Sequence, residues 1–194
     1  MKAEHIKEIA WNQFARHGYQ GASLASIAEE VGIKKQSIYA HFKNKEDLFL
    51  RTFEEALAGE IQFIQSFMAD KESKPLREVL RTFSQDYLER YEKDNSMGFF
   101  LRTSFFPPAT FEEDIKRGTN AFVEQLEQVL LELIEQRSEE LQPGISPESA
   151  MVTYLTILDG LFVELLYGFP TRLERRMDLT WHTFSKHLKE EDKQ

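Results

Sequence analysis

The chain has 194 residues, of which 41% are hydrophobic and 29% charged, and its formal net charge is −9. That length buries a sizeable core in one domain or two, and the composition excludes a disordered chain. Cysteine is absent, which excludes disulfide frameworks, thiolate metal sites and cysteine nucleophiles and fits a reducing compartment.

The opening run Met-Lys-Ala-Glu-His-Ile-Lys-Glu carries no apolar h-region, so no signal peptide is expected. A first helix is predicted over about 3–17, with Ile6, Ile9, Ala10 and Phe14 on one stripe and Gly18 as its exit. Ser23 caps a second helix that turns Leu24, Ile27, Ala28 and Val31 inward and stops at Gly32. A third, over about 35–41, sends Ile38 and Phe42 to the core. Asn44 then caps a long helix whose first turn holds Glu46 and Asp47, the signs that a helix N-terminus favours.

Three short helices in under fifty residues, the second and third joined by a tight glycine-containing turn, form a helix-turn-helix. Its second helix is the one that enters a major groove. Lys35, Gln36, Tyr39 and Ala40 lie away from the Ile38/Phe42 face. Gln36 matches adenine, Lys35 matches guanine acceptors or phosphate, and Tyr39 and His41 offer donors to phosphate oxygens. The overall charge argues against nucleic acid, but its distribution does not. Residues 1–50 hold seven Lys/Arg against six Asp/Glu, and Lys34, Lys35, Lys43 and Lys45 fall in a stretch without acids. On charge alone that stretch is better read as a solvated loop; with the helical pattern it is a basic face on an acidic body.

The strings Ile6-x3-Ala10-x3-Phe14-x3-Gly18-Tyr19, Ser23-x3-Ile27-Ala28-x3-Gly32-Ile33 and Ser37-Ile38-Tyr39-x-His41-Phe42-x2-Lys45-Glu46-x-Leu48 closely resemble the TetR/AcrR signature. The resemblance covers roughly the first quarter of the chain. It implies an all-α protein, with an N-terminal three-helix helix-turn-helix domain over 1–46. A helical bundle over 47–194 would bind an effector and dimerise. It implies DNA contacts at Ser23, Lys35, Gln36, Ser37, Tyr39, His41 and Lys45, to which the residue reading adds Lys34 and Lys43. Lys34 departs from the Ser or Thr that commonly caps the third helix there, a cap worth about 1 kcal/mol.

The body continues as helices over about 45–69, 76–91, a short one after Asn95 ending at Pro107-Pro108, 109–139, 147–168 and 170–188, followed by a polar tail. No apolar run approaches the ~20 residues of a membrane span, so a cytoplasmic protein without membrane contact is expected. Eleven of the sixteen phenylalanines lie between Phe49 and Phe122, either as an aromatic core or as the lining of an apolar pocket between helices. The candidate lining is Phe63, Phe67, Phe83, Tyr87, Phe99, Phe100, Arg102, Phe106 and Phe122. Arg102 would meet an anionic effector, and Asp86 or Glu89 a cationic one. The helix after Pro147 is apolar on two faces, hence internal or shared with a partner. Tyr154, Leu158, Leu161, Phe162 and Leu165, with Trp181 and Phe184 of the last helix, are the expected interface of a two-fold dimer.

An enzyme is not expected. His5, His17, His41, His182 and His187 form no HExxH or ExxH pattern, and no GxSxG elbow, phosphate loop or dinucleotide fingerprint occurs. No metal and no cofactor are expected. The partners expected are operator DNA, a small apolar or amphipathic effector and a second copy of the chain.

Overall fold

The computed structural model describes residues 2–190, with side chains from residue 3; the end of the expected polar tail, 191–194, lies outside the described residues. Among the described residues the chain is helical, with one isolated bridge between Leu141 and Leu188. The helices are α1 (Lys2–Gly21), α2 (Leu24–Val31), α3 (Lys35–Ile38), α4 (Lys45–Asp70), α5 (Leu76–Lys93), α6 (Asn95–Phe105), α7 (Glu112–Gln136), α8 (Pro147–Tyr167) and α9 (Pro170–Phe184), with three short 3-10 turns.

Local chemistry sets several of these bounds. Ser23 accepts from the Ser26 N–H at 3.0 Å while Ser26 Oγ accepts from the Ser23 N–H, a reciprocal capping box, and Gly32 ends α2 at φ 76°. Removing that cap with Ser23→Ala is expected to cost about 1 kcal/mol of stability in a urea unfolding curve. Ser146 caps α8 with Pro147 at its first position. Asp94, not an apolar residue, starts α6 by accepting from the Ser96 and Met97 N–H groups.

The chain divides into two compact units, Met1–Glu60 with Arg90–Phe122, and Ile61–Glu89 with Val123–Gln194; α4, α5 and α7 each contribute a part to either. The first unit is centred on buried Ile6, Phe14, Ile27, Ile38, Leu48, Phe49 and Phe99. Phe14, Phe49 and Phe99 pack edge-on and tilted, with ring centroids 5.0–6.0 Å apart, a geometry that adds to their burial. α1 is fastened to α4 by Trp11, whose Nε1 donates to the Thr52 carbonyl at 3.1 Å, and by the Lys7–Glu55 ion pair. Deeper along α4, Glu60 is 1% exposed and meets Arg90 in two hydrogen bonds of 2.7 and 3.1 Å; Arg90 also reaches Asp94.

The second unit buries Leu80, Phe83, Tyr87, Tyr154, Leu158 and Phe184. Tyr154 donates its hydroxyl to the Leu80 carbonyl at 2.7 Å and lies 2.8 Å from Ser84 Oγ, and burial pushes its phenol well up, so it stays neutral. Glu164, also buried, is held by Arg172 and Arg176 of α9. α8 corrects one expectation. Its 21 residues are long and apolar enough to span a membrane by length and composition. Its inner stripe is instead buried within the second unit, which is what an all-round apolar helix does in a core.

Candidate nucleic-acid interface

The segment 34–43 is a surface held by two anchors. Ile38 and Phe42 are 0% and 3% exposed, whereas Lys34, Lys35, Gln36, Ser37, Tyr39, His41 and Lys43 all stay exposed, Tyr39 at 50%. Among the described residues, Lys34, Lys35 and Lys43 make no ion pair with an acid. α3 is shorter than the sequence suggests. Lys34 provides no side-chain cap, and beyond Ile38 the His41 and Phe42 N–H groups both converge on the Ile38 carbonyl at 2.9 Å, giving a turn over 39–41.

A second local device fixes the exit from this surface. Asp47 accepts from the Lys43 backbone N–H at 2.8 Å, while the Asp47 N–H donates to Asn44 Oδ1 at 2.7 Å. The Lys43 bond, with Arg51 adding to it, holds the Asp47 carboxyl below its ordinary range. The loop that carries Lys43 is therefore pinned to the first turn of α4.

Lys45 differs from its neighbours. Its ammonium donates to the carbonyls of Tyr19 and Ala22, at 2.8 and 3.1 Å, and stands 4.2 Å over the Tyr19 ring. The Tyr19 ring in turn packs edge-on against Phe49 and Phe111. Lys45 is thus a brace between the α1–α2 corner and the start of α4, half-buried rather than held out to solvent. Ser23 is exposed, with its hydroxyl engaged in the α2 cap.

The aromatic candidates separate into two clusters, one in each unit. Phe63, Phe67, Phe83 and Tyr87 pack together with Phe162 in the second. Phe99, Phe100 and Phe122 group with Phe53 in the first. Two members fall away from any lining: Phe106 is 56% exposed just past the end of α6, and Arg102 is exposed as well. The expected interface residues also shift inward. Tyr154, Leu158, Leu161, Phe162, Leu165 and Phe184 are buried by their own chain, and Trp181 is half-buried. The exposed apolar residues of this region are instead Val152, Tyr167, Phe169 and Leu179.

Among the described residues the chain is helical and presents an exposed polar surface on a helix-turn-helix, the build of a DNA-binding regulator. Residues 6–52 match the family described as bacterial regulatory proteins, tetR family. Over 186 residues, 92% of this chain and 89% of the relative, it is 30% identical to the HTH-type transcriptional repressor AcnR of Corynebacterium diphtheriae. The chain belongs to the TetR family. Its fold is similar to that of the regulator FadR from Bacillus subtilis in complex with stearoyl-CoA, with TM-score 0.69 and 18% identity over 96% of this chain and 99% of that one. It is also similar to AibR in complex with isovaleryl coenzyme A and operator DNA, with TM-score 0.68 and 18% identity over 97% of this chain and all of that one (100%).

Proposed function

We propose that this chain is a repressor that binds a palindromic operator as a dimer in the cytoplasm and leaves it when a small, largely apolar or amphipathic effector binds. The observation that carries the reading is the 34–43 surface, where every polar residue is exposed around two buried anchors. The head over 1–46 would seat α3 in the major groove, with Gln36 reading a base edge and Lys34, Lys35, Tyr39 and Lys43 meeting phosphate. The body over 47–194 would hold the effector. The acyl thioesters bound by FadR and AibR make an acyl-CoA the first effector to try, and the Phe63/Phe67/Phe83/Tyr87/Phe162 cluster supplies apolar wall for an acyl chain. Release requires only that the effector bind the DNA-free form better than the DNA-bound one.

The outward side of α8 and α9, with Val152, Tyr167 and Leu179, is the self-association face in this reading. Placing carboxylates there with Val152→Glu and Leu179→Glu is expected to yield a folded monomer by light scattering and at least tenfold weaker operator binding. The whole reading is tested by selecting genomic fragments with the purified protein at fixed, near-physiological salt, then adding acyl-CoA. Enrichment of one palindrome, lost on addition of the effector, is the expected result. Binding that is unselective and vanishes with modest salt would be phosphate attraction alone and would end it.

A further inference from the structure

Within the second unit α5, α8 and α9 enclose a narrow crevice with a cavity volume of about 20 Å³. Its walls are mainly apolar, from Ile157 and Leu161 of α8 and Met177 and Trp181 of α9, with the side chains of Gln85 and Thr180 among them. Ser84 and Tyr154 lie at its floor, but their hydroxyls are spent on each other and on the Leu80 carbonyl. The floor therefore makes no demand on a ligand for hydrogen bonds.

The mouth is different. It carries one cation, Arg81, and one anion, Asp178, and among the described residues neither is in an ion pair with the other or with any third group. Arg81 rests over the Trp181 ring at 5.8 Å, and Trp181 contacts Phe184 at 5.9 Å between ring centroids. An apolar slot flanked by two unpaired, opposite charges complements one kind of molecule. A simple carboxylic acid would satisfy Arg81 and be repelled by Asp178, and a simple amine would do the reverse. A neutral apolar molecule would leave both charges without a role.

We propose that this crevice binds a small zwitterion with an apolar body, an α-amino acid with an aliphatic side chain. Its carboxylate pairs with Arg81, its ammonium with Asp178, and its side chain enters between Ile157, Leu161 and Met177. Because the interior holds little more than one water, Trp181 swings outward on binding. On α8 the site faces away from the proposed self-association face, while on α9 its residues Asp178 and Thr180 flank Leu179 of that face. At 100° per residue, Tyr154, Ile157 and Leu161 lie on the side of α8 opposite Val152, Thr156 and Val163.

The test uses the full chain without DNA, so its outcome is independent of operator binding. Trp11 and Trp181 are the two tryptophans, and Trp11→Phe leaves Trp181 as the sole reporter; calorimetry on the unaltered chain serves if that variant does not fold. Titration with L-alanine, L-valine and L-leucine is expected to give a saturable fluorescence change with at least one of them. 4-Methylpentanoate and 3-methylbutylamine, which each lack one of leucine's charges, should bind about tenfold more weakly than leucine or not at all. Arg81→Gln and Asp178→Asn should each weaken the amino acid about tenfold. The proposal is overturned if none of the three amino acids gives a saturable signal up to tens of millimolar. It is equally overturned if the acid or amine binds as well as leucine, or if either charge can be removed without loss.

Discussion

Operator affinity is expected to fall about a hundredfold when Gln36 and Tyr39 are both replaced by alanine, with the unfolding midpoint in urea unchanged. Both side chains are exposed and neither holds the fold, since the anchors of this segment are Ile38 and Phe42. A well-placed side chain on a base edge is worth about 1–3 kcal/mol, and the loss of a base contact and a phosphate contact together reaches the stated factor. The accompanying signature separates the two kinds of contact. Lys35→Ala, or either neighbouring lysine variant, is expected to weaken all sequences alike and to flatten the salt dependence by about one unit of slope. Gln36→Ala instead relaxes preference at one position. Lys45 is the wrong residue for this experiment, although the family pattern puts it among the DNA contacts. Its ammonium is bonded to the Tyr19 and Ala22 carbonyls, so Lys45→Ala is expected to lower stability along with affinity. Unchanged operator affinity in the Gln36/Tyr39 variant would remove α3 as the reading element.

What was legible in the sequence and what was not follows from the range of the forces involved. α2 was readable to the residue because both of its ends are set within four positions, by Ser23 with Ser26 and by the left-handed Gly32. α3 was overestimated because its end depends on where two N–H groups find a carbonyl, and Lys34 gives its start no side-chain cap. Periodicity also marked the stripe through Tyr154, Leu158, Leu161 and Leu165 as apolar. It did not say whether that stripe meets its own chain or a second copy. The structure gives it to the chain's own core, and the weaker stripe through Val152 faces outward. The aromatic run from Phe49 to Phe122, read as either core or pocket lining, was left undivided for the same reason: nearness in sequence carried no sign that Phe63 and Phe99 belong to different clusters. Buried acids were the least visible. Nothing in the sequence pattern singles out Glu60 or Glu164, because the arginines that neutralise them lie 30 residues on for Glu60 and 8 and 12 residues on for Glu164.

That pairing of Glu60 sets a large expected stability effect. Arg90→Met should destabilise the chain by about 3–5 kcal/mol, because it leaves a carboxylate that is 1% exposed without its guanidinium. Replacing both partners, with Glu60→Leu added to Arg90→Met, is expected to recover much of that loss. Two charges taken out of water together give back little more than their desolvation cost, and a well-packed apolar pair does as well. Asp94 is a control in the same network. It receives Arg90 at 3.1 Å but also caps α6, so Asp94→Asn keeps the cap and should cost no more than about 1 kcal/mol. Urea unfolding of Glu60→Leu, Arg90→Met and the double substitution closes the cycle, with Asp94→Asn measured beside them. Equal losses in the single and double variants would mean that the packing of the Arg90 stem, rather than its charge, holds α4 to the start of α6. A loss in Arg90→Met below about 1 kcal/mol would show that water reaches Glu60 once the guanidinium is gone. In the expected case the ion pair specifies where α4 lies against α5 and α6 within this unit. α4 is the helix that begins at the helix-turn-helix, so the double variant also asks whether operator binding depends on that placement: a stable protein with weakened operator affinity is the outcome that ties the clamp to DNA recognition.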